Sequence, residues 1–499
     1  MISKWGVTNF KSIREVNLDL APLTIFTGVN NSGKSSFLQS LAMMAQSLEE
    51  LHIKLNGCYV ELDNFENIYH NKASKENKTI NIRFETKKRK FASSYSLYKY
   101  PRDNSVIKVS GVKFNKSDDE YDDDNTEDEE NGFDVYDDDN IEYVENGYDV
   151  YDDNNTEDED IGYAPYDDNN IEYEEIKENT DKEKNTEFFD VLLSKFTDAL
   201  LSVNELKTQF NYVGDKYPKI ANFENERKYI EIIWEGFRPY FSDKYFRYLG
   251  PFRKPPQFSD KKDADKKNEF VNSDGSNTFA VLNKWYKENV PYCLPDNISK
   301  KEYTDKDGYT LIYTLDKWLK HFELADTCRV DKEGVILFNI GGKEYTLSQL
   351  GSGVSQILPI FVMCLTAPKN STIIIQEPEA HYHPKVQSRL ADFFIAMALT
   401  GRQCIIETHS EYIIEQLRYR ILMMSDLKPE PLHKLVKLYF VTKNDGCSDF
   451  KYIAIDEDAS LDEWPEDFFD ESHKLVRKMM EAADKKEERD RKKRDRKNG

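Results

Sequence analysis

Leu23-Thr24-Ile25-Phe26-Thr27-Gly28-Val29-Asn30-Asn31-Ser32-Gly33-Lys34-Ser35 is the stretch whose reading decides the fold. Its first five residues are rich in β-branched and aromatic side chains and read as a short strand. Beyond it, Phe37, Leu38, Leu41, Met44 and Leu48 fall at the spacing of one helix face. Between strand and helix stands Gly-x4-Gly-Lys-Ser. Glycines let the backbone curl until successive N–H groups face a phosphate, and the helix N-terminus adds its dipole. A lysine at this spacing brings a point charge to the terminal phosphates, and the following hydroxyl suits a Mg2+ ion. Asn30, Asn31, Ser32, Gly33, Lys34, Ser35 and Ser36 are therefore the candidate phosphate contacts, and Ser35 is a candidate metal ligand. ATP and Mg2+ are the expected cofactors.

Far along the chain, Thr372-Ile373-Ile374-Ile375 reads as a buried parallel strand. It runs into Gln376-Glu377-Pro378-Glu379-Ala380-His381-Tyr382-His383-Pro384. A buried strand that delivers a carboxylate at its C-terminal end sits where α/β sheets bind ligands. Glu377 is the candidate for polarising an attacking water. A second apolar run, Gln403-Cys404-Ile405-Ile406, ends in Glu407-Thr408-His409-Ser410, and His409 there can reach a terminal phosphate and sense its loss. Upstream, Gly351-Ser352-Gly353 opens an apolar helix through Ile357–Leu365, again an anion-binding N-terminus. One chain needs no second cradle for its own nucleotide. Ser352 and Gly353 are therefore expected to meet the ATP of a partner copy.

Taken as a set and in this order, these segments resemble the RecF/SMC-like branch of ABC ATPases. The similarity is to the stand-alone relatives of the overcoming-lysogenization-defect (OLD) family of prokaryotic antiviral defence. Asn9-Phe10-Lys11-Ser12 resembles the family's N-terminal phosphate-side motif, which adds Lys11 to the nucleotide contacts. Gly351–Pro359 is similar to its signature motif, 377–384 to its Glu-Pro-Glu-x-His-x-His-Pro box, and Glu407–Ile414 to its switch. Tyr248-Leu249-Gly250-Pro251-Phe252-Arg253 and the stretch 438–470 are similar to one subgroup, which carries a C-terminal domain of unassigned function.

The resemblance implies an α/β ABC-type ATPase head, with ATP held between copies in a homodimer or higher oligomer. It further implies Mg2+-dependent hydrolysis in the service of antiphage defence, as a sensor or regulator of a separately encoded nuclease or toxin. DNA or RNA is a further expected partner. One departure concerns Gln376, which stands where the family's metal-supporting carboxylate would fall. An amide can hold a metal-bound water but brings no charge, so slow hydrolysis is expected. Two rivals remain at this point. A DNA-repair or chromosome-maintenance ATPase would require long heptad repeats, and the sequence has none. A non-hydrolysing, nucleotide-dependent scaffold is left open by Gln376.

The chain has 499 residues, more than one core normally serves. Its formal charge of -23 is local: residues 121–176 hold 25 Asp and Glu and no Lys or Arg, so the remainder stands at +2. A global charge argument against nucleic-acid binding therefore fails. That acidic stretch repeats every 15 residues, from Tyr121, Tyr136, Tyr151 and Tyr166, each reading Tyr-Asp-Asp-x-Asn. Such units lack the apolar surface to offset ordering entropy and are expected to be disordered.

The expected organisation is an N-terminal ATPase half over 1–117, the acidic repeats over 118–185 and a mostly helical insertion over 186–330. A C-terminal ATPase half over 331–437, a small subdomain over 438–484 and a charged tail over 485–499 follow. Asp456-Glu457-Asp458 reads as surface, since too little chain follows for a nuclease domain. Six scattered cysteines read as reduced thiols. No apolar run approaches the ~18 residues of a membrane span, so a cytoplasmic location without a membrane partner is expected.

Overall fold

The computed structural model describes residues 1–47, 53–73, 78–86, 89–100, 103–116, 240–254, 269–290, 308–332, 335–425, 427, 430–465, 468–469 and 471–498. The chain divides into two units, Met1–Ser117 with Pro218–Gly499 and Asp118–Tyr217. The acidic repeats and the start of the expected helical insertion lie outside the described residues.

Strands β1 (Ile2–Phe10), β2 (Ile13–Asp19) and β3 (Leu23–Gly28) lead to helix α1 (Lys34–Ala45). Then come β4 (Ile53–Lys54), α2 (Phe65–Ile68), β5 (Thr79–Thr86), β6 (Arg89–Tyr100), β7 (Asp103–Lys116) and β8 (Phe246–Leu249). The middle of the chain gives α3 (Thr278–Trp285), β9 (Asn289–Val290), β10 (Tyr309–Thr310), α4 (Leu311–His321), β11 (Thr327–Val330), β12 (Ile336–Ile340) and β13 (Lys343–Thr346). The last part gives α5 (Ser352–Thr366), β14 (Thr372–Gln376), α6 (Pro384–Leu399), β15 (Gln403–Glu407), α7 (Glu411–Met423), β16 (Val436–Asn444), β17 (Cys447–Ile453) and α8 (Glu471–Asn498).

Six of these strands form the central sheet, in the order β17-β16-β3-β15-β14-β8, parallel except for the terminal β17. Successive residues of a strand face opposite sides, and both sides are filled. Ile373, Ile375, Cys404 and Ile406 pack into one core with α4, α5, α6 and α7. Ile374, Ile405, Phe26 and Tyr439 pack into the other, with α1 and the antiparallel sheet β2-β1-β5-β6-β7-β4. Burial on both faces is why the parallel strands read as continuous apolar runs. The antiparallel sheet docks on α1 through Trp5, fully buried, whose Nε1 donates to Ser40 Oγ at 2.8 Å.

The expected α/β P-loop architecture is what forms. Two expected boundaries differ in the structure. Phe246–Leu249, inside the range assigned to a helical insertion, is the edge strand beside β14. The expected subdomain over 438–484 begins inside that same sheet: β16 pairs parallel with β3 from Val436 to Val441, and Tyr439 stacks on Phe26 at 5.3 Å. Without β16, the strand that feeds the phosphate loop would be a bare edge. The charged tail continues α8 as one helix to Asn498. Among the described residues no helix is long and apolar enough to cross a membrane.

Candidate nucleotide site

Because β3, β15 and β14 are adjacent and parallel, their C-terminal ends bring Gly28, Glu407 and Gln376 together. The loop leaving β3 turns at Gly28, with φ of 134°, where a Cβ would lie 2.1 Å from the Val441 carbonyl. It closes at Gly33, with φ of 109°, where a Cβ would lie 2.0 Å from Ser448 Oγ. Only glycine fits either position. The β16–β17 hairpin thus presses on the loop from one side, and Ser448 Oγ donates to Ser12 Oγ at 2.7 Å.

Within the loop Asn30 and Asn31 are exposed, and Ser32 is buried with no hydrogen-bond partner for its hydroxyl. Lys34 Nζ donates to the carbonyls of Gly28, at 3.1 Å, and Val29, at 2.8 Å. Burial lowers its pKa, and Glu407, Glu377 and Glu379 oppose that shift. Ser35 and Ser36 are half-buried on the first helical turn. Lys11, with φ of 51°, directs its ammonium to Gln39 Oε1 on α1 at 2.7 Å, and burial lowers its pKa as well.

At the end of β14, Gln376 is buried and Glu377 takes a left-handed φ of 46°. The Glu377 N–H donates to the Glu407 carbonyl at 2.8 Å. Arg253, also buried, donates from its guanidinium to the carbonyls of Gln376 at 3.2 Å and Glu377 at 2.7 Å. On β15, Glu407 accepts from Ser35 Oγ at 2.6 Å and from Gln376 Nε2 at 2.5 Å. The Tyr248 hydroxyl donates to the other end of the Gln376 amide. His409 is exposed at the cleft. Partial burial of its ring and the nearby Lys34 ammonium lower its pKa, against the pull of Glu377 and a hydrogen bond to the Gly28 backbone. Its backbone N–H donates to Glu379 Oε1 at 2.5 Å, and burial raises the Glu379 pKa.

Lys34, Ser35, Gln376, Glu377 and His409 therefore converge. Ser352 and Gly353 stand on a separate element, a helix whose Gln356 donates from Nε2 to the Arg253 carbonyl at 3.1 Å. They open α5, which packs on α3 and α4. That end is open: a Cβ at Gly351 would meet nothing within 4 Å. Roles for Glu407 and Arg253 were not assigned by reading the sequence, although both stand inside quoted segments. Polar residues closing an apolar strand were the available signal.

A family model described as an AAA ATPase domain matches residues 1–414, every segment of this cluster included. The chain belongs to that family. A second model, described as a protein of unknown function, matches residues 433–479 and so covers the β16–β17 hairpin that braces the loop of the AAA ATPase domain. No curated protein matches the chain. Among solved structures it is similar to the SMC head domain from Thermotoga maritima, with 11% identity, TM-score 0.36, 90% of this chain and 98% of that one covered. It is also similar to an Smc head domain with an extended coiled coil, bound to the C-terminal domain of ScpA derived from Pyrococcus furiosus. There the identity is 10%, the TM-score 0.37, and 96% of this chain and 99% of that one are covered.

Proposed function

We propose that this AAA ATPase domain chain binds ATP with Mg2+ and hydrolyses it, and that two copies complete the site between them. The observation that carries the reading is the meeting of Lys34, Ser35, Glu377 and His409 at the ends of three adjacent parallel strands. Loop N–H groups and the α1 terminus bind phosphate oxygens. Lys34 neutralises the charge of the terminal phosphates. Glu377 orients water for in-line attack. His409, whose pKa burial and Lys34 hold below the usual imidazole value, donates a hydrogen bond toward the phosphate that leaves. Ser35 and Glu407 offer the hard oxygen donors that suit Mg2+; the ion when bound neutralises developing phosphate charge.

The resemblance to stand-alone relatives of the OLD family supports a regulatory role, in which the ATP state governs a separately encoded nuclease or toxin during antiphage defence. Copurification from the native operon with and without ATP tests that role, and an effector that never associates in either state removes it. The nucleotide reading is tested more simply. Lys34→Ala is expected to abolish ATP binding and hydrolysis, measured by fluorescence titration and phosphate release. Equal affinity in variant and wild type would sink the assignment.

A further inference from the structure

Gln376 and Glu407 are direct partners across parallel strands β14 and β15. The Gln376 amide is fixed at both ends: its oxygen accepts from the Tyr248 hydroxyl, and its nitrogen donates to Glu407 Oε2 at 2.5 Å. One acceptor site of its oxygen is thus taken by a neutral donor, and the amide brings no charge to a cation. The other carboxylate oxygen, Glu407 Oε1, meets Ser35 Oγ at 2.6 Å. Glu407 is buried, yet among the described residues no Lys, Arg or His side chain pairs with it within 4 Å. The nearest ammonium, Lys34, donates instead to the carbonyls of Gly28 and Val29. A buried carboxylate held only by neutral donors is costly unless a cation joins it. Among the described residues no three His, Cys, Asp or Glu side chains are grouped to hold a metal alone. The cation that fits would thus arrive with phosphate oxygens completing its shell.

We propose that Glu407 supplies the carboxylate that supports the nucleotide's Mg2+ in this chain, one strand over from Gln376, and that Gln376 and Tyr248 hold it in place. The proposal rests on the nucleotide reading above. It gives a use at once to the missing charge at 376 and to the buried carboxylate two residues before His409. The pKa of Glu407 is raised by burial, with Ser35, Gln376 and Lys34 pulling it down, and a cation would add to that pull.

The test compares ATP affinity in Mg2+ and in EDTA for the full chain, using a fluorescent ATP analogue. Wild type should bind more tightly with Mg2+. Glu407→Gln should bind at least as well in EDTA, since an anion near the phosphates has gone, and should lose about tenfold or more of the Mg2+ enhancement. The swapped pair Gln376→Glu with Glu407→Gln should regain it. An undiminished enhancement in Glu407→Gln overturns the proposal while leaving ATP binding intact. Should that variant not fold, the swapped pair decides: normal EDTA affinity with restored enhancement supports the proposal, and normal EDTA affinity with none overturns it. If wild type binds no ATP in either condition, the nucleotide reading fails first and takes this proposal with it.

Discussion

Arg253 directs its buried guanidinium at two backbone carbonyls, those of Gln376 and Glu377. A non-glycine residue at left-handed φ, as at Glu377, costs on the order of 1–3 kcal/mol and persists only where the surroundings fix it. Two charge-assisted hydrogen bonds and the N–H bond to the Glu407 carbonyl do so. Arg253→Met should therefore lower turnover by roughly tenfold or more with a smaller change in ATP affinity. Arg253→Lys should not rescue it, because one ammonium cannot span the fork. A parallel fall in affinity and turnover would assign Arg253 to binding instead. At Glu377 itself, Glu377→Gln should spare binding and accumulate ATP-bound oligomer, seen by size-exclusion chromatography in ATP. Hydrolysis within about twofold of wild type would remove Glu377 as the water-orienting group. Lys34, Ser35, Glu377 and His409 were legible because each stands in a short contiguous motif. Arg253, Tyr248 and Glu407 had no role in the sequence reading because their partners lie 123, 128 and 372 residues away. Only the pairing of β8, β14, β15 and β3 brings them into reach.

Three helices are tied by one buried carboxylate. Asp392 on α6 accepts from Arg420 on α7 at 2.7 and 3.0 Å, from Gln416 on α7 at 3.0 Å, and meets His321 Nε2 on α4 at 3.0 Å. Burial alone would raise its pKa, but the bonds from His321, Arg420 and Gln416 prevail and hold it at about 2. The unfolded value is higher, so ionised Asp392 contributes its full stability above about pH 4 and loses it as pH falls toward 2. The contribution at neutral pH is about 2 kcal/mol. Asp392→Asn should destabilise by at least that much, since it removes the buried carboxylate that accepts from Arg420, Gln416 and His321. The gap to wild type in urea unfolding should narrow between pH 4 and pH 2.5, and a gap independent of pH would refute the tie. The helices themselves were readable where apolar spacing was long, as in α1 and α5. The β16–β17 hairpin was read as part of a small subdomain over 438–484, and its pairing with β3 was not foreseen. Leu438-Tyr439-Phe440-Val441 is a continuous apolar run, which is how a strand buried on both faces reads. Its distance from Leu23–Gly28 along the chain gave no hint that it would pair there.

At the scale of the whole molecule, the Lys34 cluster and the open end of α5 are built on different elements of one α/β unit. On the proposed reading Lys34 and its loop hold the chain's own phosphates, while Gly351 opens a helix whose first N–H groups have no side-chain cap and suit an anion. Two copies related by a two-fold axis would satisfy both needs, since each surface that receives also gives. Such an axis makes each site composite, with Lys34 from one copy and α5 from the other. Ser352→Arg should then block a partner's ATP while leaving the same chain's loop intact, and alone it should be as inactive as Lys34→Ala. Mixing the two variants separates the lesions. In a mixed dimer one site carries both substitutions and the other carries neither, so phosphate release should rise above that of either variant alone. Random mixing makes half the dimers mixed, and half of their sites are intact, so recovery should approach about a quarter of wild type. Mixed dimers that form, as judged by differentially tagged chains, and yet recover nothing would mean that α5 does not serve the partner's nucleotide, or that both sites must fire together. Binding of one labelled ATP per mixed dimer distinguishes these, because an intact composite site binds even when it cannot turn over alone.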